Sequence, residues 1–460
     1  MEVAAAPSWP ILPALPSRAT VAVVASGLAA ELAYALGGPF HFLLPDAFTA
    51  NLIAMQDTLT QAGVDGFVYY AKKANKAAVF VEHAAAGGAG VDVASAAELR
   101  EALGHGVRGE HLMVTGPAKD PALLRLAVTH SATIAVDALD ELDQVISLAL
   151  TGSVRPARVL LRALPDTQPH SRFGMSEREL TTALKRCVQA GEAIRMEGFS
   201  FHLSGYALQP RADLAARLVD LCLTARLQGL EASRISIGGG LPISYTDADS
   251  WHTFLASQRP AHYHAGKTFQ TGDFYPYHSP VAGADALAAL LATRPENTDS
   301  TLADLIRDAG IELLLEPGRA LLDQAGATLF RIQGVKDRDG YQLLTVDGTS
   351  LSLSEQWFNS EFLPDPQLIP QEQPTTAAPT AVFPASVGAA TCLESDMLTW
   401  RKIAFPHPPR VGDLLLYPNT AGYQMDSNES PFHDLPLPPK VVIDHIDRPR
   451  PRWRLDRHFT

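Results

Sequence analysis

Cysteine is scarce in this chain, which carries three cysteines among 460 residues. Cys187, Cys222 and Cys392 are too few and too widely spaced for a disulfide framework or a zinc site. A reducing compartment fits that usage, and we expect a cytoplasmic protein. Long apolar runs are lacking as well. The apolar stretch near the N-terminus is broken by prolines and Arg18 and follows no basic segment, which argues against a signal peptide or membrane span.

Positive charge is also in deficit. Lysine and arginine total 37 against 50 aspartates and glutamates, a formal net charge of −13. Nucleic acid is therefore not the expected partner, because phosphate backbones are bound by basic surfaces. Hydrophobic residues make up 46% and charged residues 19%, which is typical of an ordinary globular protein. The length favours two domains over one core.

Short apolar runs alternate with amphipathic helical patterns over residues 41–325. Repeated strand-then-helix units predict parallel strands with crossover helices, and their number over this length favours a (β/α)8 barrel. Residues 326–460 instead alternate strand-like runs with Gly/Asp turns, which predicts a β-rich second domain. We expect residues 1–40 to add a strand to it. Residues 246–300 have no clean period and are too long for an ordinary connection, so they form a candidate functional insertion.

Chemically suggestive residues fall where the predicted barrel strands end, which is where the active sites of such barrels lie. Each residue alone has an ordinary structural explanation: a flexible turn for the glycines, a packed core histidine, an ion pair at a strand end. Their recurrence at the ends of successive strands is what indicates a site. These residues are Lys73, Asp92, Arg162, His202, Gly238, Gly239, Gly240, Glu316 and Arg319.

An ordered set of motifs resembles the fold-type III pyridoxal-phosphate (PLP) decarboxylases, which include the diaminopimelate, ornithine and arginine decarboxylases. The motifs are "YYAKKAN", "GVDVASAAEL", "VTGPAK", "RFG", "SFHLSG", "IGGGLP", "EPGR", "VDG", "CLESD" and "GDLLLYPNTAGY". The resemblance implies an alanine-racemase-like (β/α)8 barrel with a β-rich C-terminal domain, and PLP as cofactor.

The resemblance also implies roles for individual residues. Lys73 would bind PLP covalently, a choice over Lys72 that strand alternation alone leaves open because the two lysines face opposite ways. His202 would stack on the ring and Glu316 would keep the pyridine nitrogen protonated, which favours decarboxylation over racemisation. The remaining cofactor contacts would be Asp92, Arg162, Gly238, Gly239, Gly240, Arg319 and Tyr423.

Substrate and proton chemistry would come from the second domain. In the family a cysteine at the position of Cys392 is supplied by the partner subunit and protonates Cα, so a homodimer with shared active sites is expected. Asp347, Glu394 and Tyr423 are the candidate substrate-binding residues.

Three departures from the family pattern indicate a divergent branch, such as the Y4yA-like proteins or those of siderophore pathways. Leu393 follows Cys392 where most members carry an acidic residue, and Ser204 follows His202 by two residues instead of three. The aromatic insertion has no counterpart in the three enzymes named above.

We therefore expect a PLP-dependent decarboxylase of an α-amino acid, a diamino acid or a modified derivative, in siderophore or other secondary metabolism. The alternatives are a PLP-dependent racemase or epimerase and a catalytically silent PLP-binding scaffold. Retention of Lys73, the glycines and Cys392 together argues against the silent scaffold.

Overall fold

The computed structural model describes residues 9–152, 155–353, 361–371, 382–446 and 451–456. Contacts divide the chain into two compact units. The barrel unit comprises residues 49–242 and 281–321, and the β-rich unit comprises residues up to 48, 243–280 and those from 322 onwards. Residues 1–8 of the predicted N-terminal segment, and parts of the predicted C-terminal domain, lie outside the described residues.

The barrel unit confirms the predicted (β/α)8 architecture. Among the described residues, eight parallel strands pair in chain order, and the eighth closes on the first. In order, these barrel strands are Gly66–Ala71, Gly90–Val93, Leu112–Val114, Thr133–Val136, Ala157–Arg162, Ile194–Ser200, Arg234–Ser236 and Glu312–Leu315.

Helices connect the barrel strands because each crossover must return the chain to the start of the next parallel strand. Pro45–Gln61 precedes the first strand. The crossover helices are Ala78–Ala86, Ala96–Gly104, Pro121–Thr129, Leu139–Gly152, Glu177–Ala190, Leu208–Leu227, Gly283–Ala292 and Leu302–Asp308.

Side chains fill the barrel interior, so the barrel is a packed core. Tyr69, Met113, Ala135, Leu160 and Leu314 form one buried cluster contributed by five strands. Burying each of the larger side chains stabilises the fold by about 1.5–3 kcal/mol. This packing fixes the strand ends at which the polar residues lie.

The β-rich unit contains a mixed sheet whose described strands are Phe40–Leu43, Gly326–Arg338, Tyr341–Val346, Gln367–Ile369, Phe383–Gly388, Met397–Phe405, Leu414–Pro418, Lys440–Asp444 and Arg452–Leu455. Phe40–Leu43 lies in the sheet interior, antiparallel to Gly326–Arg338 and parallel to Lys440–Asp444. Apart from Phe40, this strand lies outside residues 1–40, the segment from which the sequence predicts it. It begins at residue 40, so the predicted boundary between residues 40 and 41 falls within it.

Two short N-terminal helices, Arg18–Ala25 and Leu28–Leu36, pack their apolar residues against Phe40 and Phe42 in the core of the β-rich unit. Within the described ranges, no single helix is both long and apolar enough to cross a membrane. The two N-terminal helices, which are bent relative to each other, together reach that length and apolar character, by length and composition only.

The predicted insertion divides between the two units, whereas the sequence pattern assigned all of it to the barrel. Residues 243–280, including the helix Ala248–Ser257, belong to the β-rich unit. The physical reason is aromatic packing. Tyr245 contacts Tyr277 and Phe362 edge-to-face at centroid distances of 5.3 and 5.6 Å, and Trp251 also contacts Tyr277. Such contacts stabilise beyond the area they bury.

Candidate active site

The turn after the first barrel strand separates two consecutive lysines. Residues Lys72–Ala74 form a single 3-10 turn directly after Ala71. Lys73 is 47% exposed and donates a hydrogen bond to Asp92 Oδ2 at 3.0 Å. Lys72 is 1% exposed and pairs with Glu101 at 3.0 Å. Lys72 is therefore committed to a buried ion pair, whereas the amine of Lys73 is accessible at the barrel mouth.

Asp92 and Glu316 are two buried carboxylates at the ends of the second and eighth barrel strands. Thr115 donates a hydrogen bond of 2.5 Å to Asp92 Oδ1, and Ser236 donates one of 2.5 Å to Glu316 Oε1. Burial, reinforced by the charge of Asp92, raises the pKa of Glu316 from 4.5 to about 7, although Lys73 opposes the shift. Glu316 is therefore only partly ionised near neutral pH, whereas an ordinary glutamate is fully ionised there.

Arg162, at the end of the fifth barrel strand, pairs with Asp137 at 3.2 Å. Its guanidinium lies 4.5 Å from the centroid of the Phe173 ring, and Asp137 also accepts the Gly174 N–H at 3.0 Å. The "RFG" segment is therefore tied to the strand end by a cation–π contact and a shared carboxylate.

His202 follows the sixth barrel strand and lies against the glycine loop after the seventh. It retains solvent access although protein surrounds it on most sides. The surrounding protein removes much of the water around the imidazole, and this desolvation, together with the charge of Lys73, lowers the pKa of His202 to about 3. A Cβ on Gly238 would lie 2.6 Å from His202 Nδ1, and Gly238 has a φ of +65°. Only glycine satisfies both constraints. The imidazole is therefore neutral and is packed closely on this loop.

The glycine loop presents backbone donors. The Gly238 N–H donates to Ser236 Oγ at 3.3 Å. Within the part of the chain that the structure describes, the N–H groups of Gly239 and Gly240 have no acceptor. Arg319, four residues beyond the eighth strand, is buried. Adjacent backbone N–H groups without acceptors form an anion-binding concavity, the kind of site that holds a phosphate.

Cys392 lies in an exposed loop of the β-rich unit and contacts a histidine. Its Sγ is 3.2 Å from His433 Nε2. Asp396 shapes the loop by accepting the Thr391 N–H at 3.1 Å and the Ser350 N–H at 2.8 Å. The thiol and the imidazole can therefore exchange a proton directly.

The predicted substrate-binding residues also lie in the β-rich unit. Asp347 Oδ1 accepts the Arg331 N–H at 2.8 Å, and burial raises the pKa of Asp347. Glu394 is exposed, and Leu393 is 51% exposed. Tyr423 has a φ of +77°, which is uncommon for a residue with a side chain. Such backbone strain concentrates at functional sites.

Sequence reasoning missed four polar partners of the predicted residues: Thr115, Asp137, Ser236 and His433. A signal existed for both Thr115 and Ser236, because Thr115 follows the third barrel strand within the motif "VTGPAK" and Ser236 ends the seventh strand just before "IGGGLP". No local pattern connects His433 with Cys392, which is 41 residues away in sequence.

Residues 47–273 match the family described as pyridoxal-dependent decarboxylase, pyridoxal binding domain. The y4yA protein of Sinorhizobium fredii is 40% identical over 417 residues, covering 90% of each chain. Diaminopimelate decarboxylase of Neisseria meningitidis is 24% identical over 85% of this chain and 86% of that one. The prediction of a Y4yA-like branch is thus confirmed.

Solved structures agree on the fold. Diaminopimelate decarboxylase of Helicobacter pylori, complexed with L-lysine, superposes with a TM-score of 0.69 at 16% identity over 91% of this chain and 93% of that chain. Lysine/ornithine decarboxylase of Vibrio vulnificus, complexed with putrescine, gives 0.67 at 19% identity over 93% and 99%.

The chain belongs to the fold-type III PLP-dependent decarboxylases. It is an amino-acid decarboxylase that uses PLP. The residues of the barrel mouth fit this cofactor: an accessible lysine amine, a neutral imidazole, a buried carboxyl group of raised pKa and two backbone N–H groups for which the described part of the chain provides no acceptor.

Proposed function

We propose that this decarboxylase acts on a diamino acid or a modified derivative of one, and that it serves siderophore or other secondary metabolism. The observation that carries the chemical part is Glu316, a buried carboxyl group of raised pKa beside Lys73 and Asp92. A carboxylate in that environment stabilises a protonated pyridine nitrogen. When bound, PLP supplies an electron sink for the pair of electrons left on Cα as CO2 departs.

The barrel residues that would hold the cofactor lie at the ends of six strands, and Tyr423 belongs to the β-rich unit. We propose that Lys73 binds it through its amine, which Asp92 orients, and that neutral His202 packs against the ring. Neutrality matters because a protonated imidazole would oppose the protonated ring. The other proposed contacts are Arg162, Gly238, Gly239, Gly240, Glu316, Arg319 and Tyr423.

Decarboxylation leaves Cα short of one proton, and we assign its delivery to Cys392. The Sγ–H group would give its proton to Cα, and the thiolate would be reprotonated through His433 Nε2, 3.2 Å away. By resemblance to the family, Cys392 of one copy would act in the active site that contains Lys73 of another copy, so a homodimer is part of the proposal. The cytoplasmic location is proposed from the scarcity of cysteine.

The loop around Cys392 favours the proposal that the substrate is not diaminopimelate. Leu393, 51% exposed, stands where most of the family carry an acidic residue that binds a distal amine. An apolar side chain there favours a distal group whose charge is removed or masked by modification. Asp347, Glu394 and Tyr423 are the proposed contacts to that part of the substrate.

Incubation of the protein and PLP with a panel of free, hydroxylated and acylated diamino acids in D2O tests these proposals. Product that has lost CO2 and gained one deuterium at Cα, found for a modified diamino acid in preference to diaminopimelate, supports them. Deuterium at Cα with the carboxylate retained indicates a racemase and contradicts the assignment of Glu316 and Cys392. The Lys73→Ala variant is the control for uncatalysed exchange.

A further inference from the structure

Arg211 is a buried guanidinium that is held by backbone carbonyl groups. It lies at the start of the helix Leu208–Leu227 and is 1% exposed. Nη1 donates to the Ile237 carbonyl at 3.0 Å, and Nη2 donates to the carbonyls of Leu203 and Gly205 at 3.4 and 3.2 Å. Across the described ranges, no carboxylate pairs with it and its Nε has no acceptor.

These three carbonyls belong to the loops that follow the sixth and seventh barrel strands. Arg211 therefore joins the His202 loop to the glycine loop. A Cβ on Gly240 would lie 2.1 Å from Nη2, so the guanidinium packs directly against the backbone of Gly240, whose φ is +81°. Within the glycine loop, Arg211 binds the Ile237 carbonyl, and among the described residues the N–H groups of Gly239 and Gly240 have no protein acceptor.

Burial lowers the pKa of Arg211 to about 10, so the guanidinium remains charged at neutral pH. Carbonyl dipoles compensate a buried cation only in part, and a nearby dianion would compensate it further. The chain also departs from the family spacing after His202. Ser204 comes two residues after the histidine, and Gly205 occupies the third position, where the family carries its serine. Gly205 instead supplies a carbonyl to Arg211.

We infer that Arg211 is a positioning residue of the proposed phosphate site: it joins the two loops and would supply buried positive charge to the glycine loop that would hold the phosphate group of PLP. This inference rests on the proposed assignment of the glycine loop to the phosphate. It predicts that Arg211 distinguishes PLP from pyridoxal, which has the same ring and aldehyde but no phosphate.

The test is the affinity of the purified protein for PLP and for pyridoxal, measured by spectroscopic titration. Arg211→Met should weaken the binding of PLP about ten- to a hundredfold, the range expected when a favourable charged group is lost from a binding site. The affinity for pyridoxal should change by less than about threefold. Arg211→Lys, which keeps the charge, should recover part of the PLP affinity.

Arg226, on the same helix, provides a matched control. It donates to the carbonyls of Ala232, Ala309 and Gly310 at 3.1, 2.6 and 3.0 Å, about 22 Å further along the helix axis. Arg226→Met should lower the thermal midpoint and leave both affinities unchanged.

Equal weakening of PLP and pyridoxal by Arg211→Met would show a purely structural role and overturn the inference, as would no change in either. If the Met variant does not fold, Arg211→Lys must still lower PLP affinity selectively. Wild-type protein that binds PLP and pyridoxal equally would refute the phosphate assignment of the glycine loop itself, a failure distinct from that of Arg211.

Discussion

Glu316→Gln should stabilise the cofactor-free protein while it abolishes most of the activity. The folded state raises the pKa of Glu316 from 4.5 to about 7, chiefly by burial. Folded protein therefore binds more protons than unfolded protein between these values, and its stability falls as pH rises through that interval. At about 1.4 kcal/mol per pH unit, ionised Glu316 costs about 3 kcal/mol at pH 8.

Glutamine has the shape of the protonated carboxyl group and does not ionise, so the variant avoids this cost. Its Oε1 can still accept the hydrogen bond that Ser236 donates at 2.5 Å. The thermal midpoints of the variant and the wild type should coincide near pH 4.5 and separate by pH 8, with the variant higher. With PLP bound, the wild type should have the higher thermal midpoint, because a protonated pyridine nitrogen stabilises a carboxylate and not an amide. Turnover should fall about a hundredfold or more.

Asp323→Asn is the matched control for this prediction. Asp323 lies in the β-rich unit, and burial raises its pKa from 3.8 to about 6. Its variant should show a pH-dependent gain of similar size with unchanged turnover and no reversal by PLP. Parallel pH profiles for Glu316→Gln and wild type, or full activity in the variant, would refute the reasoning about Glu316.

Two further predictions concern the lysines and the thiol. Borohydride reduction with PLP should label Lys73, and a label on Lys72 would contradict the geometry. Lys72→Ala should still be labelled at Lys73 but should be less stable by about 1–3 kcal/mol, because the ion pair between Lys72 and Glu101 is lost. His433→Gln should slow alkylation of Cys392 by iodoacetamide several-fold at pH 7 and lower turnover about tenfold or more. Unchanged alkylation would remove His433 from proton transfer, and Cys392→Ser provides the comparison for full loss of the thiol.

The barrel was predictable because its signals are local. Each strand is a short apolar run and each crossover is an amphipathic stretch, so the alternation of the two is visible without tertiary contacts. The ends of those runs located Lys73, Asp92, Arg162, His202 and Glu316 correctly at strand termini. Their assignment to the cofactor came from the resemblance of the motifs.

Pairing across the sheet and between loops was not predictable from local pattern. The insertion shows no helical or strand periodicity. Residues 243–280 instead pack through aromatic contacts, such as that of Tyr245 with Phe362, which is distant in sequence. The Cys392–His433 contact has the same origin.

The sequence by itself determined which side chains end the barrel strands, because parallel strands with helical crossovers place all their carboxyl ends at one mouth. Only the tertiary structure decided the environment of each side chain. It buried Lys72 with Glu101 and left Lys73 accessible, and it raised the pKa of Glu316 through burial near Asp92. Desolvation and charge–charge distance depend on neighbours from other strands, and no local run of residues encodes them.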